Sequence, residues 1–272
     1  MEYKILTPKD IEYPRKLRKI LGDNCPPNLY YSGPIEFLNS FTISVISADS
    51  IGGLAMMATN QVLFTIREYS MNYLTPAHSV METEIFRLAL WKKRINTVSL
   101  FSVKGLAVET YESFLLDRFY PPFDSFPERD EYFRRAKNNE LLIISLVDPK
   151  QTKQLRKNIL ERNFTICCLG DIIFVPYGPK NSKTYTIAKK AVDLNLPLFT
   201  IEHPEAEDLH KLGIPGYNRE SVRKLLNEKG APLMSNTATY TEILNTQITK
   251  TVSFVKEAEQ PFITFPKTKR KK

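Results

Sequence analysis

The order of apolar segments after residue 40 constrains the fold more than any other feature of the sequence. Short runs with strand character alternate with longer segments in which apolar residues recur at helical spacing. The predicted strands are FTISVIS (41–47), NTVSLFS (96–102), ELLIISLV (140–147), DIIFVPYG (171–178) and LPLFTIE (196–202). The predicted helices cover residues 54–73, 82–95, 152–169 and 182–195. Single helices between strands are typical of crossover connections, so the sequence predicts an α/β protein with a Rossmann-like fold, a mostly parallel sheet and helices on both faces.

The regions outside this alternation divide the chain into four predicted parts. Residues 1–38 are punctuated by proline and predict an N-terminal extension, residues 39–233 hold the Rossmann-like domain, residues 234–266 form a short C-terminal extension, and residues 267–272 are a basic tail. The chain has a net charge of +8, and five positive side chains lie in that tail, KTKRKK. Such a tail either attracts polyanions or serves as a disordered solubilising end.

Several classes of protein are excluded by what the sequence lacks. It has no long uncharged apolar run and its start lacks the layout of a secretory signal, so we expect a cytoplasmic protein without a membrane segment. The adjacent Cys167 and Cys168 are expected to be core residues, and the three histidines have no metal-ligand spacing, so no metal is expected. Glu82, Glu84 and Glu109 are interpreted as solvated carboxylates, and with no GxSxG, Walker or HExxH motif we expect neither a catalytic centre nor a cofactor.

The first candidate loop follows the strand at 41–47, where an open parallel sheet places its ligands. It has the sequence SADSIGG and lacks the GxGxxG fingerprint of dinucleotide sites, in a chain with only 10 glycines. Asp49 would repel a phosphate here. The alternative interpretation is a polar turn in which Asp49 or Ser50 caps the next helix.

Two further segments carry candidate anion-binding residues. In the first, Asn181, Ser182, Lys183 and Thr184 stand at a predicted helix start, where free N–H groups and the charges of Lys180 and Lys183 would favour an anion, unless Asn181 or Ser182 simply caps the helix. In the second, Arg162 and Asn163 could contact a phosphate and a base edge, or could fasten the sheet edge by hydrogen bonds to backbone.

Three blocks of the sequence, in this order, resemble the DprA/Smf family of DNA-processing proteins. IEYPRKLRKILGDNCPPNLYYSG is similar to the family's entry segment through Tyr13, Pro14, Leu17, Pro26, Pro27, Leu29, Tyr30 and Gly33. ERNFTICCLGDIIFVPYGPKNSKTYTIAKKAV is similar to its RNRIIAGLSDAVVVVEA and SGSLITA block through Arg162, Asn163, Leu169, Asp171, Ser182, Thr186 and Ala191. GYNRESVRKLLNEKGAPL is similar to its closing element through Gly216, Asn218, Leu225, Gly230 and Ala231.

The departures from the family pattern lie mainly in the N-terminal half of the predicted pocket. Where the family has Gly-Ser/Thr-Arg, this chain has Ser47, Ala48 and Asp49, and its SGLARGID loop corresponds to residues 75–82, which keep only an acid, Glu82. In the second block, Phe164 replaces the second Arg of RNR and Pro176 replaces the Glu after the strand. The chain therefore resembles a divergent member with a rebuilt first loop.

The resemblance implies an extended Rossmann-like fold and a protein that is not an enzyme. It implies binding of single-stranded DNA along a basic pocket, a homodimer, loading of a RecA-type recombinase, and a role in transformation or recombination. The residues expected to contact DNA are Arg162, Asn163, Lys180, Asn181, Ser182, Lys183, Thr184, Lys269 and Arg270. Two alternatives remain open. One is a protein-interaction module that kept the fold and lost the pocket. The other is a nucleotide phosphoribohydrolase, a class of enzyme whose loop resembles PGGxGTxxE where this chain has YGPKNSKTY.

Overall fold

The computed structural model of the chain describes residues 1–91, 96–116 and 129–233. In these residues a nine-stranded sheet has the order β1-β2-β6-β5-β4-β3-β7-β8-β9. The strands are β1 (Lys4–Leu6), β2 (Leu29–Ser32), β3 (Thr42–Val45), β4 (Asn72–Thr75), β5 (Thr97–Ser102), β6 (Leu142–Ser145), β7 (Ile172–Phe174), β8 (Leu198–Ile201) and β9 (Gly216–Tyr217). The helices are α1 (Arg15–Leu21), α2 (Gly53–Ile66), α3 (Val80–Trp91), α4 (Tyr111–Leu116), α5 (Arg129–Lys137), α6 (Arg156–Leu169), α7 (Lys183–Asp193), α8 (Glu207–His210) and α9 (Arg219–Glu228).

The strand order reverses at β3, and this reversal positions the candidate site. β3 pairs in parallel with β4 on one side and with β7 on the other. The chain first builds outward from β3 through β4 and β5 to β6, and then α6 returns it to the other side of β3, where β7, β8 and β9 follow in parallel. The carboxyl ends of β3 and β7 therefore flank a topological switch point, the usual ligand position in an open parallel sheet.

Helices cover both faces of the sheet, because successive strand residues point to opposite sides. In β7, Ile172 and Phe174 belong to one apolar cluster, which also contains buried residues of α2, α3 and α9. Ile173 belongs to the opposite cluster, which contains buried residues of α1, α6 and α7. The expected α/β fold with a mostly parallel sheet and helices on both faces is confirmed.

Two sequence-based assignments change. The helix predicted over 54–73 is wrong in its last third, because α2 ends at Ile66 and β4 occupies Asn72–Thr75. Residues 1–38 supply β1 and β2, which add antiparallel strands to the edge of the sheet at β6. The division of the chain at residues 38, 233 and 266 stays a prediction, and the two C-terminal parts lie outside the described residues.

Other expectations concern single residues and the membrane. Cys167 and Cys168 are fully buried, as expected, in the cluster under α6. Within the described ranges, no helix has the length and apolar character that crossing a membrane requires.

Candidate functional site

A cleft of about 790 Å³ opens at the switch point between β3 and β7. One side is formed by residues 47–50, which follow β3, together with His78 and Glu82 near the start of α3. The other side is formed by the first half of α6, by Tyr177 and Pro179, and by residues 181–184 around the start of α7. The three segments that the sequence singled out separately thus meet in one cleft.

The loop after β3 is held by backbone contacts from both sides. The Ala48 N–H donates to the Tyr177 carbonyl (2.9 Å), and the Gly52 N–H donates to the Glu205 carboxylate (3.1 Å). Gly52 is the N-cap of α2, and within the described ranges neither Asp49 nor Ser50 makes a side-chain hydrogen bond to that helix end, so the interpretation that one of them caps it is wrong. Asp49 is exposed, lines the cleft, and makes no side-chain hydrogen bond or ion pair with the described residues.

Glu82 closes the floor of the cleft on the β3–β4 side. Its carboxylate accepts hydrogen bonds from the N–H groups of Ser47 (2.8 Å), His78 (2.9 Å) and Ser79 (3.0 Å), so it ties the loop after β3 to the start of α3. Burial raises the pKa of the Glu82 carboxyl, against the opposing effects of these three donors and of the Arg162 guanidinium.

The interpretation of the three glutamates as solvated carboxylates is wrong for two of them. Glu82 is 2% exposed and Glu109 is 3% exposed, where it accepts a hydrogen bond from the Ser102 hydroxyl (2.7 Å). Glu84 is half-buried and pairs with Arg87 (3.0 Å) one helical turn away. The two buried glutamates differ from Glu84 in the groups that surround each carboxylate. The sequence alone does not show which groups these are.

Arg162 and Asn163 lie in the middle of α6, buried at 3% and 6% exposure, and both line the cleft. The Arg162 Nε donates to the Asn163 Oδ1 at 2.9 Å. Because Nε can only donate, this bond fixes the amide orientation and leaves the Asn163 Nδ2 as a donor. The Nδ2 has no hydrogen-bond partner among the residues that the structure describes.

The start of α7 presents donors to the same cleft. The Ser182 hydroxyl accepts from the Tyr185 N–H (3.0 Å), so the expected N-cap by Ser182 is confirmed. The N–H groups of Lys183 and Thr184 have no acceptor within the described part of the chain, as is usual for the first turn of a helix. Free N–H groups and the positive end of the helix dipole favour an anion at this position.

The charges along the cleft are separated by side. Arg156 and Lys183 are exposed, line the α6–α7 side, and form no ion pair with any described residue. Asp49 and Glu82 line the opposite side. The cleft is therefore cationic along α6 and α7 and acidic along the loop after β3.

The structure brings together most of the residues proposed from the sequence. Arg162, Asn163, Asn181, Ser182, Lys183 and Thr184 line the cleft, whereas Lys180 does not and its backbone N–H donates to Asp208 (2.9 Å). Lys269 and Arg270 lie outside the described residues.

Sequence reasoning missed Arg156 and Tyr177, which also line the cleft. The spacing of Arg156, Ile159 and Asn163 at i, i+3 and i+7 places them on one helical face and is the signal that could have found Arg156. In the described ranges, no group of three or more His, Cys, Asp or Glu side chains is placed to hold a metal ion.

Comparison with known proteins identifies similar folds. No family model matches the sequence, and no curated protein sequence matches it either. The X-ray structure of DNA processing protein A (DprA) from Streptococcus pneumoniae is similar with a TM-score of 0.65 and 17% identity, over 83% of this chain and 74% of that chain. DprA from Helicobacter pylori, described for its single-stranded DNA binding mode, is similar with a TM-score of 0.62 and 19% identity, over 84% of this chain and 97% of that chain. The chain has a DprA-like fold.

Proposed function

We propose that this chain is a non-enzymatic, single-stranded DNA-binding protein of the DprA/Smf type. In this role it protects cytoplasmic DNA during uptake, transformation or recombination and, as a homodimer, loads a RecA-type recombinase. The observation that carries the proposal is the switch-point cleft, whose α6–α7 side combines Arg156, Lys183 and free helix N–H groups. It lies in a fold similar to that of H. pylori DprA, whose structure concerns single-stranded DNA binding.

The chemistry of the α6–α7 side is suited to phosphates. Arg156 and Lys183 supply charges that are not neutralised by any described residue, and the Lys183 and Thr184 N–H groups supply directed donors. Contacts of this kind hold a nucleic acid by its backbone and carry no sequence information. We therefore expect binding that depends strongly on salt and little on base sequence.

A single strand suits a cleft of this kind better than a duplex does. The donors lie inside a concavity between loops, so a backbone must bend inward to reach them. Duplex DNA is stiff over about 150 base pairs, whereas a single strand bends at each nucleotide. The proposal therefore includes a preference for single strands over duplexes of equal length.

The direct test is a fluorescence-anisotropy titration of the full chain with labelled single-stranded and double-stranded oligonucleotides. We expect tighter binding of the single strand and a linear fall of log affinity with log salt between about 50 and 200 mM. No detectable binding at the lowest salt would overturn the proposal.

A second arm separates the cleft from the basic tail. In the full chain, the five basic residues of KTKRKK are replaced by glutamine, and in a separate variant Arg156 and Lys183 are replaced by alanine. The proposal requires that the cleft variant loses the preference for single strands. If only the tail variant loses binding, DNA association is a property of the tail and the cleft has another role.

The recombinase and homodimer parts need their own measurements. Light scattering of the purified full chain gives the mass in solution, and twice the monomer mass is expected. Recombinase loading is measured as faster filament assembly on single strands coated with a single-strand-binding protein. Unchanged assembly in the presence of this chain would remove that part of the proposal.

A second candidate function is a protein-interaction module that kept this fold. Two observations favour it: Asp49 stands in the cleft, and the N–H group of Gly52, the N-cap of α2, donates to the Glu205 carboxylate. In addition, α2 exposes Leu54, Met57 and Phe64. Partners retained after nuclease treatment, together with no affinity for DNA, would select this function.

A further inference from the structure

The cleft has two sides of opposite charge, and this separation limits which charge distribution a bound ligand can have. The α6–α7 side has Arg156, Lys183 and the free N–H groups of Lys183 and Thr184, whereas Asp49 on the opposite side is exposed and without an ionic partner in the described ranges. A ligand with phosphates at both ends would place one of them against Asp49. A ligand with one phosphate and one neutral end avoids that repulsion.

Asn163 gives independent evidence that the cleft receives a ligand. Its side chain is 6% exposed, lines the cleft, and is oriented by the Arg162 Nε so that the Nδ2 group remains a donor. That Nδ2 has no acceptor among the described residues. The Nδ2 group is open to the cleft, where it can donate to an acceptor that the described residues do not supply.

The neutral end of the ligand must donate hydrogen bonds to the acidic side of the cleft. A free carboxylate such as Asp49 accepts hydrogen bonds from sugar hydroxyls or from the amino group of a base. Tyr177 lines the cleft as well, and an aromatic side chain can stack on a base whatever its sequence. One nucleotide meets these requirements: its phosphate lies at α7, its base and sugar face Tyr177 and Asp49, and it supplies an acceptor for Asn163.

We propose that the cleft is a receptor for a single nucleoside monophosphate unit, and that Asp49 excludes phosphate groups from the side of the cleft opposite α6 and α7. This inference rests on the proposed function, because it assigns a nucleotide to the same cleft. The unit has two sources, the phosphorylated terminal nucleotide of a strand or a free nucleoside monophosphate. If the unit is the terminal nucleotide, the strand enters by its end and leaves along α6 and α7.

The test is a competition series on the full chain without divalent cations, with adenosine, ribose 5-phosphate, and adenosine mono-, di- and triphosphate displacing a labelled mononucleotide. The monophosphate is expected to bind roughly threefold or more tightly than the triphosphate, because Asp49 repels added charge. In Asp49→Asn that order is lost or reversed. The matched control is Asp23→Asn, an exposed acid outside the cleft lining, which keeps the wild-type order.

Other results would overturn the inference. A wild-type protein that prefers the triphosphate has an ordinary cationic site, and an unchanged order in Asp49→Asn removes Asp49 as the selecting residue. If oligonucleotides bind but no mononucleotide competes at millimolar concentration, the single-nucleotide receptor fails while the proposed function stands. If mononucleotides compete in the predicted order and no oligonucleotide binds, the proposed DNA-binding function fails instead.

A last arm distinguishes the two sources of the nucleotide. Oligonucleotides with a 5′-phosphate, with a 3′-phosphate and with neither, together with a circular single strand, are compared by competition. Tighter binding of a phosphorylated end supports a terminal nucleotide as the ligand. Equal binding of all strands, with competition by the free monophosphate, supports a free nucleotide. A circle that competes better than every linear strand contradicts entry by an end.

Discussion

The Arg162 Nε donates a hydrogen bond of 2.9 Å to the Oδ1 of its sequence neighbour Asn163, and this contact decides which atoms α6 offers to the cleft. Adjacent residues on a helix point about 100° apart, so the pair needs the long Arg side chain to meet. The result is an amide with its acceptor occupied and its donor available. The Arg-Asn dipeptide thus acts as one unit, in which arginine orients and asparagine donates.

The first prediction concerns this amide. Asn163→Asp keeps an acceptor for Arg162 and replaces the donor by a carboxylate oxygen, so affinity for single-stranded oligonucleotides should fall by about tenfold or more. Anisotropy titration measures the loss. Asn163→Ala removes the donor without adding charge and should show a smaller loss. Unchanged affinity in both variants, with unchanged thermal unfolding, would show that Asn163 contacts no ligand.

The second prediction concerns the salt dependence of binding. Each phosphate contact on a single strand contributes about 0.7 to the slope of log affinity against log salt. Lys183→Ala and Arg156→Ala should each lower that slope by about this amount, and the double variant by about twice as much. Lys224→Ala, on the exposed face of α9 outside the cleft lining, serves as control and should leave the slope unchanged.

The fold was largely predictable because strands and helices alternate with clear boundaries, but β4 was not. Glycine and proline are absent between Gly53 and Thr75, so nothing in the sequence marks the end of α2 at Ile66. Asn72–Thr75 is buried throughout, and a strand buried on both faces shows no alternation of polar and apolar residues. The apolar residues of β4 therefore fit the helical spacing of α2, and the sequence predicts one helix where the structure has a helix and then a strand.

The sequence predicts site residues only where the residue types themselves indicate the interaction. Helix starts and the Arg-Asn pair can be recognised from the letters, and four of the expected residues are contiguous at the start of α7. The burial of Glu82 depends on three backbone N–H groups from two loops, which only the folded chain brings together. The unpaired state of Asp49 is likewise a property of tertiary structure.

The third prediction assigns Asp171 a structural role. Its carboxylate accepts from the Thr42 N–H (2.7 Å) and from Lys16 (2.6 Å), which joins α1 to the start of β3. Asp171→Ala should lower the free energy of unfolding by about 1–3 kcal/mol, because the Thr42 N–H loses its acceptor. Lys16→Ala should cost less than about 1 kcal/mol, since that ion pair is partly exposed. Urea unfolding measures both, and DNA affinity should not change in the folded variants.

The fourth prediction explains Gly33 of the entry segment. Its φ of +105° is unfavourable for other residues, and a Cβ atom there would overlap the Leu141 carbonyl. Gly33→Ala should therefore destabilise the protein by about 2–5 kcal/mol, through backbone strain and displacement of the strand edge. Gly213→Ala is the matched control, with φ of +84° and open space around the site, and should cost only about 1–2 kcal/mol. Equal costs would show that the contact with Leu141 contributes nothing.

The last prediction concerns the pH dependence that Glu82 gives to stability. Burial raises the pKa of its carboxyl above the ordinary value of 4.5, so the folded chain holds this proton at pH values where the unfolded chain has lost it. Between the unfolded and folded pKa values the native state binds more protons, and the free energy of unfolding must therefore fall as pH rises through that window.

Glu82→Gln cannot ionise and should lack this fall, although it is less stable at every pH because an amide N–H₂ faces backbone donors. The stability difference between wild type and Glu82→Gln, measured by urea unfolding from about pH 4 to pH 8, should decrease with pH and then level off. A difference that increases with pH would show that the three N–H donors and Arg162 outweigh burial at this carboxyl.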